Sequence, residues 1–184
     1  MSNIHTPILQ FGTSRFLQAH ADLFFSLASP HRHITVVQST SDKARAKRLS
    51  ALADPLGYPV RIRGIENGAV VDVEQHVTSV KRTLSTATDW NEVARIATHE
   101  AEIILSNTSD RGFDPCPDDA HPSPLQTMSY PAKLFHLLAA RHAHNAAPVV
   151  IMPMELINEN GKVLKTRVLE IGRAIKADPA LLEW

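Results

Sequence analysis

A single cysteine, Cys116, excludes an intrachain disulfide, and its setting in DPCPDD reads as an ordinary surface thiol in a reducing, cytoplasmic compartment. Charge of one sign is not in excess: Lys and Arg number 19, as do Asp and Glu, so no long-range field points to nucleic acid or an anionic membrane. A small molecule is the expected partner. No run approaches the roughly 18 apolar residues of a membrane span, and MSNIHTPILQF does not have the basic-then-apolar order of a secretory signal. Metal-ligand clusters are missing as well. His31/His33 and His142/His144 stand at i, i+2, which on a helix sends the rings apart, and no nearby carboxylate or Cys completes either pair. No Ser sits in a G-x-S-x-G turn, so a Ser-His-Asp hydrolase is not indicated.

What remains is a chain of ordinary composition, 43% hydrophobic and 21% charged over 184 residues, enough for one sizeable core; residues 1–184 are expected to form a single domain. Its pattern alternates. PILQFG is a short apolar run closed by Gly12, as a buried parallel strand would be. In FLQAHADLFFSLA, helical spacing predicts an apolar face of Phe16, Leu17, His20, Leu23, Phe24, Leu27 and Ala28, which turns His20 inward, and Pro30 stops the helix. HITVVQST is a second strand, making residues 8–40 a βαβ unit. A charged helix is expected at about 42–53. Asn67-Gly68, between alternating segments from Tyr58 to Ser85, predicts an antiparallel hairpin insertion. A short helix with Asp89 as N-cap, a third strand in AEIILSNTS, a helix begun by Pro131 and a fourth strand in PVVIMP follow. The last helix carries Leu164, Val168, Ile171 and Ile175 on one stripe and ends at Asp178-Pro179. Residues 109–130 are rich in proline and form a long connection of the kind that is either functional or mobile; Asp110/Asp114 and Asp118/Asp119 are read there as solvated carboxylates.

Such alternation predicts an α/β fold: a doubly wound, mostly parallel Rossmann-like sheet with an antiparallel hairpin insertion, whose ligand sits at the carboxyl ends of the strands. Those ends hold Gly12, Ser39 and Thr40, Asn107 and Thr108, and Met154 and Glu155. A strand-to-helix turn on glycine offers unpaired N–H groups to a pyrophosphate, and Gly12, Thr13, Ser14, Arg15 and Phe16 are the candidates. The full G-x-G-x-x-G fingerprint is not met, since its second and third glycine places hold Ser14 and Leu17. At the second strand Gln38, Ser39 and Thr40 can hydrogen-bond a ribose, while Asp42, Lys43 and Arg45 leave NAD and NADP both open.

Several segments together resemble the mannitol dehydrogenase family of long-chain polyol and hexuronate oxidoreductases: QFGTSRFLQAHADLF, VVQST, SNTSDRGFD, YPAKLFHLLAAR and PMELINENGKVLKTRVLE, in that order along nearly the whole chain. The family's first segment usually reads G-x-G-x-F-x-R-x-H; Gly12, Phe16 and His20 match it, and Ser14 and Gln18 depart. MELINENG is closer to the tagaturonate and fructuronate reductases than to the mannitol enzymes. The resemblance implies NAD or NADP as cofactor, Ser39 and Thr40 near the adenosine ribose, Asn107 and Thr108 beneath the nicotinamide, and Asn107 with Glu155 facing a hexuronate-type substrate. It also implies that the catalytic K-x4-N-x2-H motif, which these residues do not contain, belongs to a helical second domain absent here. Uncovered apolar surface then favours a homodimer or larger. The alternative is a stand-alone, non-catalytic module that binds a nucleotide or sugar acid.

Overall fold

The computed structural model describes residues 4–40, 49–109 and 111–184. In chain order its elements are β1 (Ile8–Phe11), a continuous helix made of α1 (Arg15–Leu17), a π-helical turn (Gln18–Asp22) and α2 (Leu23–Leu27), then β2 (Ile34–Gln38), β3 (Tyr58–Glu66), β4 (Ala69–Val77), β5 (Val80–Ser85), α3 (Trp90–His99), β6 (Ile103–Ser106), α4 (Tyr130–Ala143), β7 (Val150–Pro153), α5 (Asn160–Ala174) and α6 (Pro179–Glu183). Five strands form one parallel sheet in the order β5-β2-β1-β6-β7. The chain winds outward from β1 through β2 to β5, then returns to the other side of β1 for β6 and β7. That reversal opens a crevice at the carboxyl ends of β1 and β6.

Alternation along β1 splits the core into two layers. Leu9 and Phe11 pack with Val93, Ile96, Leu134, Leu137 and Leu164 on one face, while Ile8 packs with Leu17, Ile34, Val36, Val80 and Leu105 on the other. The stripe on α5 is seated as its spacing predicts, with Leu164 and Ile171 buried. Asn67 (φ 51) and Gly68 (φ 80) make the left-handed turn of the β3–β4 hairpin, most of whose residues are exposed.

Several expectations change. The insertion is shorter than its sequence pattern suggests, because VKRTLS leaves the hairpin and becomes β5, a fifth parallel strand beside β2. The first helix turns only part of the expected face inward. Its π turn inserts one extra residue, and Leu17 and Leu23 are buried as expected together with Ala21, Asp22 and Ser26, while Phe16, His20, Phe24 and Leu27 are exposed. Asp89 stands at the N-cap position of α3, but its carboxylate accepts from the N–H of Ser85 (2.8 Å) instead of capping that helix. Most of the charged helix expected at 42–53 lies outside the described residues; 49–52 are helical.

Within 109–130 the two acidic pairs separate. Asp119 is buried, accepting from the N–H (2.8 Å) and Oγ (2.9 Å) of Ser129 and from the N–H of Cys116 (3.0 Å). It therefore braces the start of α4, contrary to the solvated reading. Asp114 pairs with Arg111 at the surface, and Asp110 lies outside the described residues.

Candidate functional site

β1 ends at Phe11, and Gly12 then takes φ 121, a conformation that side-chain-bearing residues rarely adopt. The position is closed sterically as well: a Cβ there would lie 2.4 Å from the carbonyl oxygen of Asn107. Gly12 thus lets the β1 turn pass directly against the end of β6. Ser14 caps the helix, its Oγ accepting from the N–H of Leu17 (3.3 Å), and Gln18, where the family pattern has Arg, donates Nε2 to the carbonyl of Thr13 (3.2 Å). Among the described residues the N–H groups of Thr13, Ser14 and Arg15 have no acceptor, and they open onto the crevice.

At the end of β2, Gln38 is buried and donates Nε2 to the carbonyl of Thr40 (2.8 Å). The strand is extended by the N–H of Thr86, which donates to the Gln38 carbonyl (2.9 Å). The Ser39 carbonyl is fixed from beneath by Gln126 Nε2 (3.1 Å) and Lys133 Nζ (3.1 Å). Asp42, Lys43 and Arg45, which would bear on a 2′-phosphate, lie outside the described residues.

At the ends of β6 and β7 the side chains hold one another. Asn107 Nδ2 donates to the carbonyl of Met154 (2.7 Å). Glu155 is 4% exposed, with one carboxylate oxygen accepting from Ser106 Oγ (3.0 Å) and the other from the N–H (2.9 Å) and Oγ1 (3.0 Å) of Thr108. Its carboxylate is occupied in orienting Thr108, and it does not line the cavity.

These ends enclose a cleft of about 610 Å³, within the range of small-molecule sites. Gly12, Thr13, Ser14, Arg15, Gln38, Ser39, Thr40, Asn107 and Thr108 line it together. Phe16 does not: it is 45% exposed on the outer side of the helix, stacked on His20 with ring centroids 4.5 Å apart. His20 also faces outward, its Nδ1 2.8 Å from the carbonyl of Phe16.

Sequence reasoning missed one wall, built from Leu49, Leu52, Tyr58 and Pro59. Tyr58 reaches it from the first residue of the hairpin because its hydroxyl donates to Asp22 Oδ2 (2.7 Å) under the helix. Burial pushes the Asp22 carboxyl up to about 6, against the opposing effect of the Tyr58 hydrogen bond. Local spacing gave no signal of this, since it sets Asp22 and Ser26 off the apolar face; the π turn brings both inward, where Ser26 Oγ accepts from the N–H of Thr78 (2.9 Å).

No family model matches the chain. Among curated proteins it is 29% identical over 192 positions to the altronate oxidoreductase of Halalkalibacterium halodurans, covering 100% of this chain and 37% of that protein. It is 31% identical over 188 positions to the altronate oxidoreductase of Klebsiella pneumoniae, covering 96% and 38%. The chain therefore spans under two-fifths of these relatives. Among solved structures, a D-sorbitol dehydrogenase in substrate-free form superposes with a TM-score of 0.79 at 17% identity, covering 98% of this chain and 40% of that one. The Pseudomonas fluorescens mannitol 2-dehydrogenase, in a ternary complex with NAD and D-mannitol, gives 0.77 at 16% identity, covering 100% and 40%. Likeness of sequence along the chain and likeness of fold agree, and the chain resembles the N-terminal portion of the mannitol dehydrogenase family of polyol and hexuronate oxidoreductases.

Proposed function

We propose that this chain binds NAD or NADP in the cleft, as the nucleotide-binding domain of an oxidoreductase that moves a hydride between the nicotinamide and a hexuronate- or polyol-type sugar. The observation that carries the reading is the row of N–H groups at Thr13, Ser14 and Arg15, without acceptors among the described residues, at a helix start on the switch point of a parallel sheet. The P. fluorescens relative was solved with NAD, which favours a dinucleotide, and the altronate oxidoreductases favour a sugar acid.

When bound, the dinucleotide supplies the hydride-carrying ring. The chain's own residues divide the remaining work. Thr13, Ser14 and Arg15 offer amides, a hydroxyl and a cation to the pyrophosphate, Ser39 and Thr40 offer hydroxyls to the adenosine ribose, and Asn107 and Thr108 support the nicotinamide end. Glu155 keeps Thr108 oriented. Moving the alcohol proton needs a positioned base, and no K-x4-N-x2-H set is present in the 184 residues. Binding therefore falls to residues 1–184, and proton transfer to a helical domain in the part of the relatives that this chain does not span. A cytoplasmic setting, in keeping with the lone thiol of Cys116, belongs to the same proposal.

Thermal melting with NADH and with NADPH tests it. Ligand at a hundredfold excess over its Kd should raise the midpoint by about 5 °C or more. No shift with either dinucleotide at millimolar concentration rejects the reading, and a shift with a hexuronate alone supports a stand-alone sugar-acid module instead.

A further inference from the structure

Lys133 is an unusual residue to bury. It is 3% exposed, does not line the cleft, and spends its ammonium on three backbone carbonyls: Ser39 (3.1 Å), Gln126 (2.7 Å) and Met128 (3.0 Å). Three hydrogens meet three acceptors, so nothing remains for proton transfer. Placing an ammonium in an interior carries a large desolvation penalty before its partners compensate, and a methionine would fill the same space without that cost. What a methionine could not do is hold carbonyls.

The Ser39 carbonyl receives a second donor, Gln126 Nε2 (3.1 Å), and Gln126 is itself aligned by the hydroxyl of Thr86, 2.8 Å from its Oε1. A carbonyl has two lone pairs, and here two side chains remote in sequence, Lys133 and Gln126, donate to it, with the Thr86 hydroxyl 3.2 Å away as well. The residue so fixed is the one at which β2 leaves the sheet and turns its hydroxyl-bearing residues, Ser39 and Thr40, into the cleft.

We propose that Lys133, with Gln126, is a positioning residue for the adenosine half of the dinucleotide: by saturating the Ser39 carbonyl it fixes the β2 exit in the orientation that presents Ser39 and Thr40 to the ribose. This rests on the dinucleotide reading of the cleft. It also gives the proline-rich 109–130 connection a function, since that connection carries Gln126 to its place and leads into the helix that carries Lys133.

The test uses Lys133→Met and Gln126→Leu in the full chain, with affinities measured by titration for NADH, for AMP as the adenosine half, and for reduced nicotinamide mononucleotide as the other half. A purely structural role would weaken both halves alike. AMP and NADH are expected to weaken by roughly ten-fold in Lys133→Met, the usual consequence of losing a hydrogen bond to a charged donor, with the mononucleotide unchanged. Gln126→Leu should show the same selectivity at smaller size, and it decides the matter if Lys133→Met does not fold. Equal loss of both halves, or unchanged AMP binding in a folded variant, overturns the proposal while leaving the dinucleotide reading intact. A parent chain that binds neither NADH nor NADPH overturns both.

Discussion

Gly12 shows how one residue can serve fold and site together. Its positive φ, and the mere 2.4 Å that would separate a Cβ from the Asn107 oxygen, leave no room for any side chain. Gly12→Ala is therefore expected to destabilise the chain by about 2 kcal/mol or more, measured by urea denaturation, through backbone strain and displacement of the β6 end. Asp22 makes the second prediction at this scale. Its folded-state value of about 6 lies above the 3.8 of an ordinary Asp, so the neutral form is favoured in the fold. The resulting stability is complete below about pH 4 and is lost as pH rises through about 6, a loss on the order of 3 kcal/mol by neutrality. Asp22→Asn keeps an acceptor for Tyr58 and removes the ionisable group from its buried position. The variant should show a flatter stability profile between about pH 4 and pH 6.5 and exceed the parent at about pH 7; a profile that falls across that interval as steeply as the parent's would rule out Asp22 as its source.

At the scale of elements, Glu155 ties the β7 end to that of β6, its carboxylate serving Ser106 and Thr108 at once. Glu155→Ala leaves those buried donors unmet and is expected to cost about 2 to 3 kcal/mol, read as a lowered melting temperature. The hairpin is a contrasting case. Ile62, Ile65, Val70 and Val73 are all more than a third exposed, so its outer half contributes little to the core. Replacing residues 62–73 by a two-residue turn should leave the melting temperature of the sheet almost unchanged, whereas Tyr58→Phe, which unpairs Asp22, should lower it. The parallel strands were legible because each is a short apolar run, as in ILQF and ITVVQ. β5 was not, because VKRTLS alternates like the hairpin that precedes it, and only pairing with β2 separates the two.

For the whole molecule, the apolar residues that the described fold leaves uncovered include Phe16, Phe24 and Leu27 on one side of the first helix, and Val150, Met152 and Leu156 around the free edge of β7. β7 carries no charged residue to blunt that edge, in contrast to Lys81 and Arg82 on β5. Association to a dimer or larger is expected in sedimentation velocity at high concentration, and Phe24→Lys with Met152→Lys should shift it towards monomer. A clean monomer of the parent chain would contradict this.

The alternation of apolar runs with helical stripes, the Asn67-Gly68 turn and the glycine after β1 are properties of neighbouring residues, and from them the sequence alone determined the fold class, the ends of the strands and nine of the residues that meet in the cleft. Which way the first helix faces, the wall around Tyr58, the orientation of Glu155 away from the cavity and the Lys133 clamp were decided only by tertiary structure. Each depends on a π turn or on partners 36 to 94 residues away, and local periodicity carries no record of contacts made across such distances.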